Sequence, residues 1–117
     1  MRSTYQIFSA IVSLFFATQA FANAGSSCHF HGKKEAAESA VLECAEKKKE
    51  FLIDSKKIDV SWKEIKSDKI EKITTKNGKL EWKLTFKNSQ TKETSKQTLY
   101  MFFSMPGNFL ASNFTGE

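Results

Sequence analysis

The chain has 117 residues, with 18 basic and 13 acidic side chains and a formal net charge of +5 at pH 7. A chain of this length builds one domain with one modest hydrophobic core. Every basic residue after Arg2 is a lysine, so the arginine forks that clamp phosphates and read bases are excluded. Because the lysines are interleaved with acidic residues, we expect a solvated surface and no nucleic-acid partner.

The N-terminus has the pattern of a secretory signal peptide. Arg2 precedes an apolar run at 7–16, and Ala22-Asn23-Ala24 supplies the small residues that flank a cleavage site. An apolar run of about ten residues is too short to span a bilayer. The sequence therefore predicts a signal peptide at 1–24, with rival cleavage sites two residues to either side. We expect a periplasmic or secreted protein with no stable membrane span after cleavage.

The segment 25–32, GSSCHFHG, combines glycine and serine with one cysteine and two histidines, a composition that predicts a flexible leader. Cys28, His29 and His31 are its candidate metal ligands, because thiolate and imidazole groups bind copper and zinc. In an extended chain, His29 and His31 point to the same side. Zinc normally takes four ligands and only three are visible here, so an exposed leader that binds no metal is the alternative.

Cys28 has a second candidate role, a disulfide with Cys44, which is common when an exported protein contains two cysteines. Cys44 lies eleven residues beyond Lys33, about 16 Å along a helix. The link from Cys28 to Lys33 reaches about 17 Å when it is fully extended. The bond therefore requires the leader to run back along the helix, or the helix to begin later. A free, buried Cys44 thiol is equally compatible with the sequence.

One helix is predicted from Lys33 to Ile53, a stretch without glycine or proline that is rich in good helix formers. At about 100° per residue its main apolar positions share one arc, namely Ala37, Ala40, Val41, Cys44, Ala45, Phe51 and Leu52. The segment 54–64 follows as a connector. It contains a short helical turn near Trp62 that Asp59 or Ser61 caps.

Four antiparallel strands are predicted after the connector, in two hairpins. Asn77-Gly78 is typical of a type I′ hairpin turn. Pairing through that turn places Ile73 opposite Trp82, with a bulge between Ile70 and Ile73. The predicted strands are 65–75, 80–88, 97–104 and 109–115, with a polar loop at 89–96. The sequence thus predicts a single α+β domain at 33–117, in which one N-terminal helix packs on a four-stranded antiparallel sheet.

The third predicted strand, 97–104, carries apolar residues on both faces. This pattern indicates a strand in the middle of the sheet, or a face that awaits a partner. We interpret Tyr100 and Phe102 on one face, together with Trp62 of the connector, as a candidate binding surface for a peptide, an envelope protein or a second copy of the chain. In the alternative interpretation, Val60 and Trp62 of the connector cover these two aromatic side chains.

Several stretches together resemble an uncharacterised family of small exported bacterial proteins. They are Trp62, EWKLTF at 81–86, KQTLYMFF at 96–103 and ASNFTG at 111–116, and that family also tends to carry histidines near its mature N-terminus, as His29 and His31 do here. One helix followed by a small antiparallel sheet is also similar to the plan of PepSY domains, although Asn77-Gly78 stands where they usually have Asp-Gly. The second resemblance implies a module that binds or inhibits peptidases.

No pattern of residues points to catalysis. Both histidines of the chain lie in the leader, and glycine-rich phosphate loops, HExxH and CxxC motifs are missing from the sequence. We therefore expect no base held beside a nucleophile. The sequence favours a non-catalytic, PepSY-like binding or regulatory module without a cofactor. The alternative is a protein that binds or handles copper or zinc through Cys28, His29 and His31.

Overall fold

The computed structural model describes residues 28–117, and the predicted signal peptide lies outside them. The described residues form one helix and four strands, namely α1 (Glu38–Asp54), β1 (Ser67–Thr74), β2 (Leu80–Lys87), β3 (Thr98–Ser104) and β4 (Phe109–Asn113). Short 3₁₀ turns occupy Val60–Trp62 and Thr94–Lys96. The predicted α+β fold of one helix and a four-stranded antiparallel sheet is confirmed. Between residues 28 and 117, no helix has both the length and the apolar character that crossing a membrane requires.

The sheet is a meander in the order β1-β2-β3-β4, with each neighbouring pair antiparallel. β3 therefore lies inside the sheet, which agrees with one interpretation of its apolar residues. The face that packs into the core with α1 carries three cross-strand pairs of β2 and β3, namely Trp82 with Phe103, Leu84 with Met101 and Phe86 with Leu99. All six side chains are buried, so the alternation that the sequence shows in β2 corresponds to one buried face.

The helix begins later than predicted, at Glu38 instead of Lys33. The residues before it are extended, because the backbone N–H of Ala36 donates to the carbonyl of Met105 at 2.8 Å. Ala37 likewise has an extended conformation, at φ −72° and ψ 147°. A hydrogen bond to the β3–β4 turn thus holds Ala36 outside the helix and satisfies an N–H that has no acceptor within a first helical turn. Helix propensity is a weak preference that such a tertiary contact overrides.

One face of α1 packs into the core, and it differs from the predicted arc at three positions. Val41, Cys44, Ala45 and Leu52 are buried, as predicted, whereas Ala37 is exposed and Phe51 is 54% exposed. The amine of Lys48, a position inside the arc, lies over the rings of Phe51 and Phe109. The third difference is the burial of a lysine.

Lys49 is a charged side chain in the core, only 1% exposed. Its ammonium group donates hydrogen bonds to the carbonyls of Lys63 and Ile65 and pairs with the carboxylate of Glu46 at 2.9 Å. A buried charge is tolerated when it is paired and hydrogen-bonded, and in the described residues no buried side-chain nitrogen or oxygen lacks a partner. Lys49 thereby ties α1 to the segment that leads into β1.

The β1–β2 turn is longer than predicted. Lys72, and not Ile73, pairs with Trp82. Asn77 does not have the positive φ that a type I′ turn requires there. Gly78 has a positive φ, 82°. Because the N–H of Thr75 donates to the carbonyl of Lys79 at 2.8 Å, the loop spans residues 76–78. The predicted two-residue turn is wrong for this reason.

The change of register also removes the bulge that was predicted between Ile70 and Ile73. Pairing is continuous across this stretch, and the shift lies between Ser67 and Lys69. Because a one-residue shift turns a side chain to the other face of a strand, Ile73 leaves the core face. Ile70 stays opposite Leu84 and packs on the core.

The short helical turn predicted near Trp62 is confirmed, with Asp59 as its cap. The Asp59 carboxylate accepts the backbone N–H of Ser61 at 2.9 Å, and hydrogen bonds from the hydroxyl and then the N–H of Ser61 lower the pKa of Asp59. The Ser61 hydroxyl in turn accepts the side-chain amide of the buried Asn88 at 2.9 Å. This network fixes the turn at the end of β2 and places Trp62 in the core.

Candidate functional site

Cys28 and Cys44 form a disulfide, with their Cα atoms 5.7 Å apart. The later start of α1 makes this bond reachable, because Cys44 is only about 9 Å along the helix from Glu38. The nine residues between Cys28 and Glu38 can run back over that distance. Of the two states that the sequence left open for these cysteines, the structure has the disulfide.

Phe30 holds the leader on the turn between β3 and β4. Its backbone N–H donates to the side-chain oxygen of Asn108 at 2.6 Å, and its carbonyl accepts the Asn108 side-chain amide at 2.9 Å. Its ring lies against Gly107, where an added Cβ would come within 3.1 Å of it. This clamp and the disulfide dock residues 28–30 on the domain, in contrast to the flexible leader that the composition predicted.

His29 and His31 are exposed, whereas Cys28 and Phe30 pack on the core. This alternation is that of an extended chain, and it brings the two imidazole rings to a centroid distance of 4.8 Å. The structure thus unites two of the three predicted metal ligands, while the sulfur of Cys28 belongs to the disulfide. Between residues 28 and 117, no group of three or more His, Cys, Asp or Glu side chains is placed to hold a metal ion.

Tyr100 and Phe102 lie on the face of the sheet that points away from α1, whereas Trp62 lies in the core on the α1 side. The three residues therefore do not form one surface. The amine of Lys83 lies 4.9 Å from the ring centroid of Tyr100 and 5.8 Å from that of Phe102. Gly116 packs on the Tyr100 ring. Lys83 thus lies over both rings and Gly116 covers that of Tyr100, whereas Trp62 of the connector packs on the opposite side of the sheet.

An open cleft of about 930 Å³ lies beside Trp62, where α1 ends. It is formed by the end of α1 and the connector, by the loop 90–96 and by Phe114. Its apolar lining comes from Ile53, Ile58, Val60, Trp62 and Phe114, and the rings of Trp62 and Phe114 are 6.4 Å apart. A volume of several hundred Å³ is typical of ligand pockets, and here the apolar residues share the lining with polar and charged ones.

Charged side chains surround this apolar lining. They are four lysines and three acidic residues, namely Lys56, Lys57, Lys92, Lys96, Asp54, Asp59 and Glu93. Lys96 pairs with Glu93 at 3.4 Å, and the Asp59 carboxylate is engaged by Ser61. Within the described part of the chain, Lys56, Lys57 and Lys92 form no ion pair. The rim therefore carries three ammonium groups without an ion pair in the described residues, but Asp54 and Asp59 also keep their negative charges there, so the seven charged residues leave a small positive excess beside the apolar lining.

Lys56 has a backbone conformation that lysine rarely adopts, with φ 60°. It ends α1 in a Schellman motif, in which the N–H of Lys57 donates to the carbonyl of Leu52 and that of Lys56 to the carbonyl of Ile53. Glycine is usual at this position, and a side chain there costs about 1–2 kcal/mol. Strain of this kind clusters at functional sites.

Inspection of the sequence missed this cleft, because its residues come from a polar connector, a polar loop and a predicted strand. One signal was available, which is a helix that ends in Ser55-Lys56-Lys57 without a glycine or asparagine. The polar composition of the connector and of the loop predicted that both segments are solvated. Their approach to Trp62 and Phe114 depends on the tertiary fold.

The whole chain, residues 1–117, matches the model of a family described as a family of unknown function, DUF6488. The chain belongs to this family, which agrees with the resemblance of its sequence to an uncharacterised family. No curated protein and no solved structure matches the chain.

Proposed function

We propose that the protein is a non-catalytic binding module, exported to the periplasm or secreted, and that it binds its ligand in the cleft beside Trp62. One observation carries this proposal: an apolar floor is flanked by three lysines that form no ion pair in the described residues. Concave, largely apolar sites with a few polar groups are the usual form of ligand sites. The strained Lys56 at the rim supports the same assignment.

The ligand that fits this chemistry is a peptide segment with a free carboxylate and a large apolar side chain. The ammonium groups of lysines 57 and 92 would attract the carboxylate as point charges. The apolar side chain would pack on Phe114 and on the exposed Val60, next to the buried Trp62, whose ring adjoins that of Phe114. A peptide ligand also suits the PepSY-like plan of one helix on an antiparallel sheet, and an envelope protein could supply it.

An NMR titration tests the site. Peptides that end in phenylalanine or leucine with a free carboxylate are added to the ¹⁵N-labelled protein, and C-terminally amidated copies serve as matched ligands. We expect the indole signal of Trp62 to shift and that of Trp82 to stay, because Trp82 donates to the carbonyl of Met105 at 3.2 Å, away from the cleft. Amidation should weaken binding. Equal shifts at both indoles would place the ligand elsewhere.

A pair of double variants separates the cleft from general positive charge. Lys57→Gln with Lys92→Gln removes two ammonium groups at the rim, and Lys76→Gln with Lys79→Gln removes two exposed ones at the β1–β2 turn. Two exposed charge contacts of about 0.5–1 kcal/mol each correspond to about tenfold in affinity. We expect this loss in the cleft variant alone. Catalytic turnover that a point substitution abolishes would contradict the non-catalytic part of the proposal.

A second function is proposed for the leader, the binding or handling of copper or zinc by His29 and His31. With metal–nitrogen bonds of about 2.0–2.1 Å, two imidazoles on one ion have ring centroids about 5 Å apart, and these rings are 4.8 Å apart. Rotation of the exposed rings would then suffice for chelation. His29→Ala with His31→Ala should abolish copper or zinc binding in a competition titration, and Lys33→Ala should not. Unchanged stoichiometry in the histidine variant would exclude this function.

A further inference from the structure

His29 and His31 supply only two of the ligands that a metal site needs. They are the chain's only histidines, and the 27 residues before Cys28 contain no His, Cys, Asp or Glu. Within residues 28–117, no further side chain of these types joins them in a metal-binding group. A structural zinc site almost always has four side-chain ligands. A zinc ion held by this pair therefore needs two donors from outside the chain.

The placement of the pair favours a donor from another molecule. Both rings are exposed. The backbone beside them is held by the disulfide at Cys28 and by the two hydrogen bonds between Phe30 and Asn108. The imidazoles thus project from a fixed point of the domain into solvent. A second molecule can approach them without any rearrangement of the leader.

We propose that His29 and His31 form one half of an intermolecular zinc site, which the same two residues of a second copy complete around a two-fold axis. A two-fold interface brings identical residues together, so two copies supply the four nitrogen ligands of a tetrahedral zinc site. Lys33 and Lys34 follow the pair in the sequence and repel their counterparts in the second copy. The dimer therefore depends on the metal. The inference rests on the second proposed function, metal binding, and names what completes that site.

Molar mass measured by light scattering during a zinc titration tests the inference. The oxidised protein is used without a histidine tag, because a tag would add imidazoles. We expect the mass to double at one zinc ion per two chains, and a chelator to restore the monomer. His29→Ala and His31→Ala should each abolish the doubling. Lys33→Ala with Lys34→Ala is the matched surface control, and it should dimerise at least as readily because it lacks the repulsion.

Each other outcome overturns a defined part of the proposal. Zinc bound at one ion per chain with the mass unchanged would overturn the role of a second copy and leave metal binding by the histidine pair in place. No zinc binding at all would overturn this inference together with the zinc part of the second proposed function, and the copper titration would then decide the rest. A dimer that forms without zinc, or that persists in both histidine variants, would show that association uses another surface.

Discussion

Replacement of Lys49 tests how a charged side chain in the core holds α1 on the connector. In Lys49→Met the volume is nearly kept, but the carbonyls of Lys63 and Ile65 lose their donor. An acceptor left without its donor costs about 1–3 kcal/mol, and since the contact with Lys63 is long, at 3.4 Å, we count one such loss. Glu46 is 37% exposed, so its carboxylate returns to water at little cost. We expect the free energy of unfolding to fall by about 2 kcal/mol.

Lys49→Ala removes about three buried methylene groups in addition, each worth about 0.8 kcal/mol. Its total loss should therefore reach about 4 kcal/mol. The matched control is Lys48→Met, because the amine of Lys48 lies 4.2 Å from the ring centroid of Phe109 and forms no buried hydrogen bond in the described residues. A partly exposed cation–π contact is worth about 0.5–1 kcal/mol. The expected order of stability is wild type, Lys48→Met, Lys49→Met and Lys49→Ala.

Urea unfolding with the disulfide intact measures these differences as midpoint shifts at constant slope. A changed slope would mean that the variant altered the unfolded or the folded ensemble, and its midpoint would not be compared. The reasoning would be refuted if Lys49→Met were as stable as the wild type or more stable. Desolvation of the ammonium group would then cancel what its hydrogen bonds contribute, as happens in some buried ion pairs.

Three further changes are expected to alter the free energy of unfolding, measured in the same way. Cys28→Ser with Cys44→Ser should cost about 3 kcal/mol, because the disulfide joins residues 16 apart in sequence; an unchanged midpoint would mean that the docked leader needs no covalent bond. Lys56→Gly should stabilise by about 1 kcal/mol, and a loss would show that its side chain makes compensating contacts. Gly107→Ala should destabilise by at least about 1 kcal/mol, since its φ is 107° and its Cβ would meet the Phe30 ring at 3.1 Å; equal stability would refute that close approach.

The parts of the fold that the sequence predicted correctly are those with local causes. In β2 every second residue from Trp82 to Phe86 is apolar, and these residues are buried on one face. The cap at Asp59 is also local, since it acts on a residue two positions away. The α1 boundary and the docked leader were not predictable in this way. They depend on hydrogen bonds from Ala36 to Met105 and between Phe30 and Asn108, which are 78 positions apart in sequence.

The candidate sites also combine features with local causes, which the sequence predicts, and features that depend on the tertiary fold. The sequence places His29 and His31 on one side of an extended chain, and the structure agrees. That Trp62 lies on the α1 side of the sheet could not be predicted from the sequence, because the path of a connector is set by the elements at its two ends. The burial of Lys49 was also not predictable, because a lysine in the run 47–49 of a polar helix predicts a solvated side chain.

The disulfide separates the two proposed functions in space and in chemistry. It occupies the sulfur of Cys28, so the leader offers nitrogen ligands only, and it fixes the leader to α1 at Cys44. The cleft begins at Ile53 and Asp54, about 15 Å farther along the helix. Substitutions in the cleft should therefore leave metal binding unchanged, and the histidine variants should leave peptide binding unchanged. If either set altered the other activity, α1 would have to couple the two sites, because it is the element that both contact.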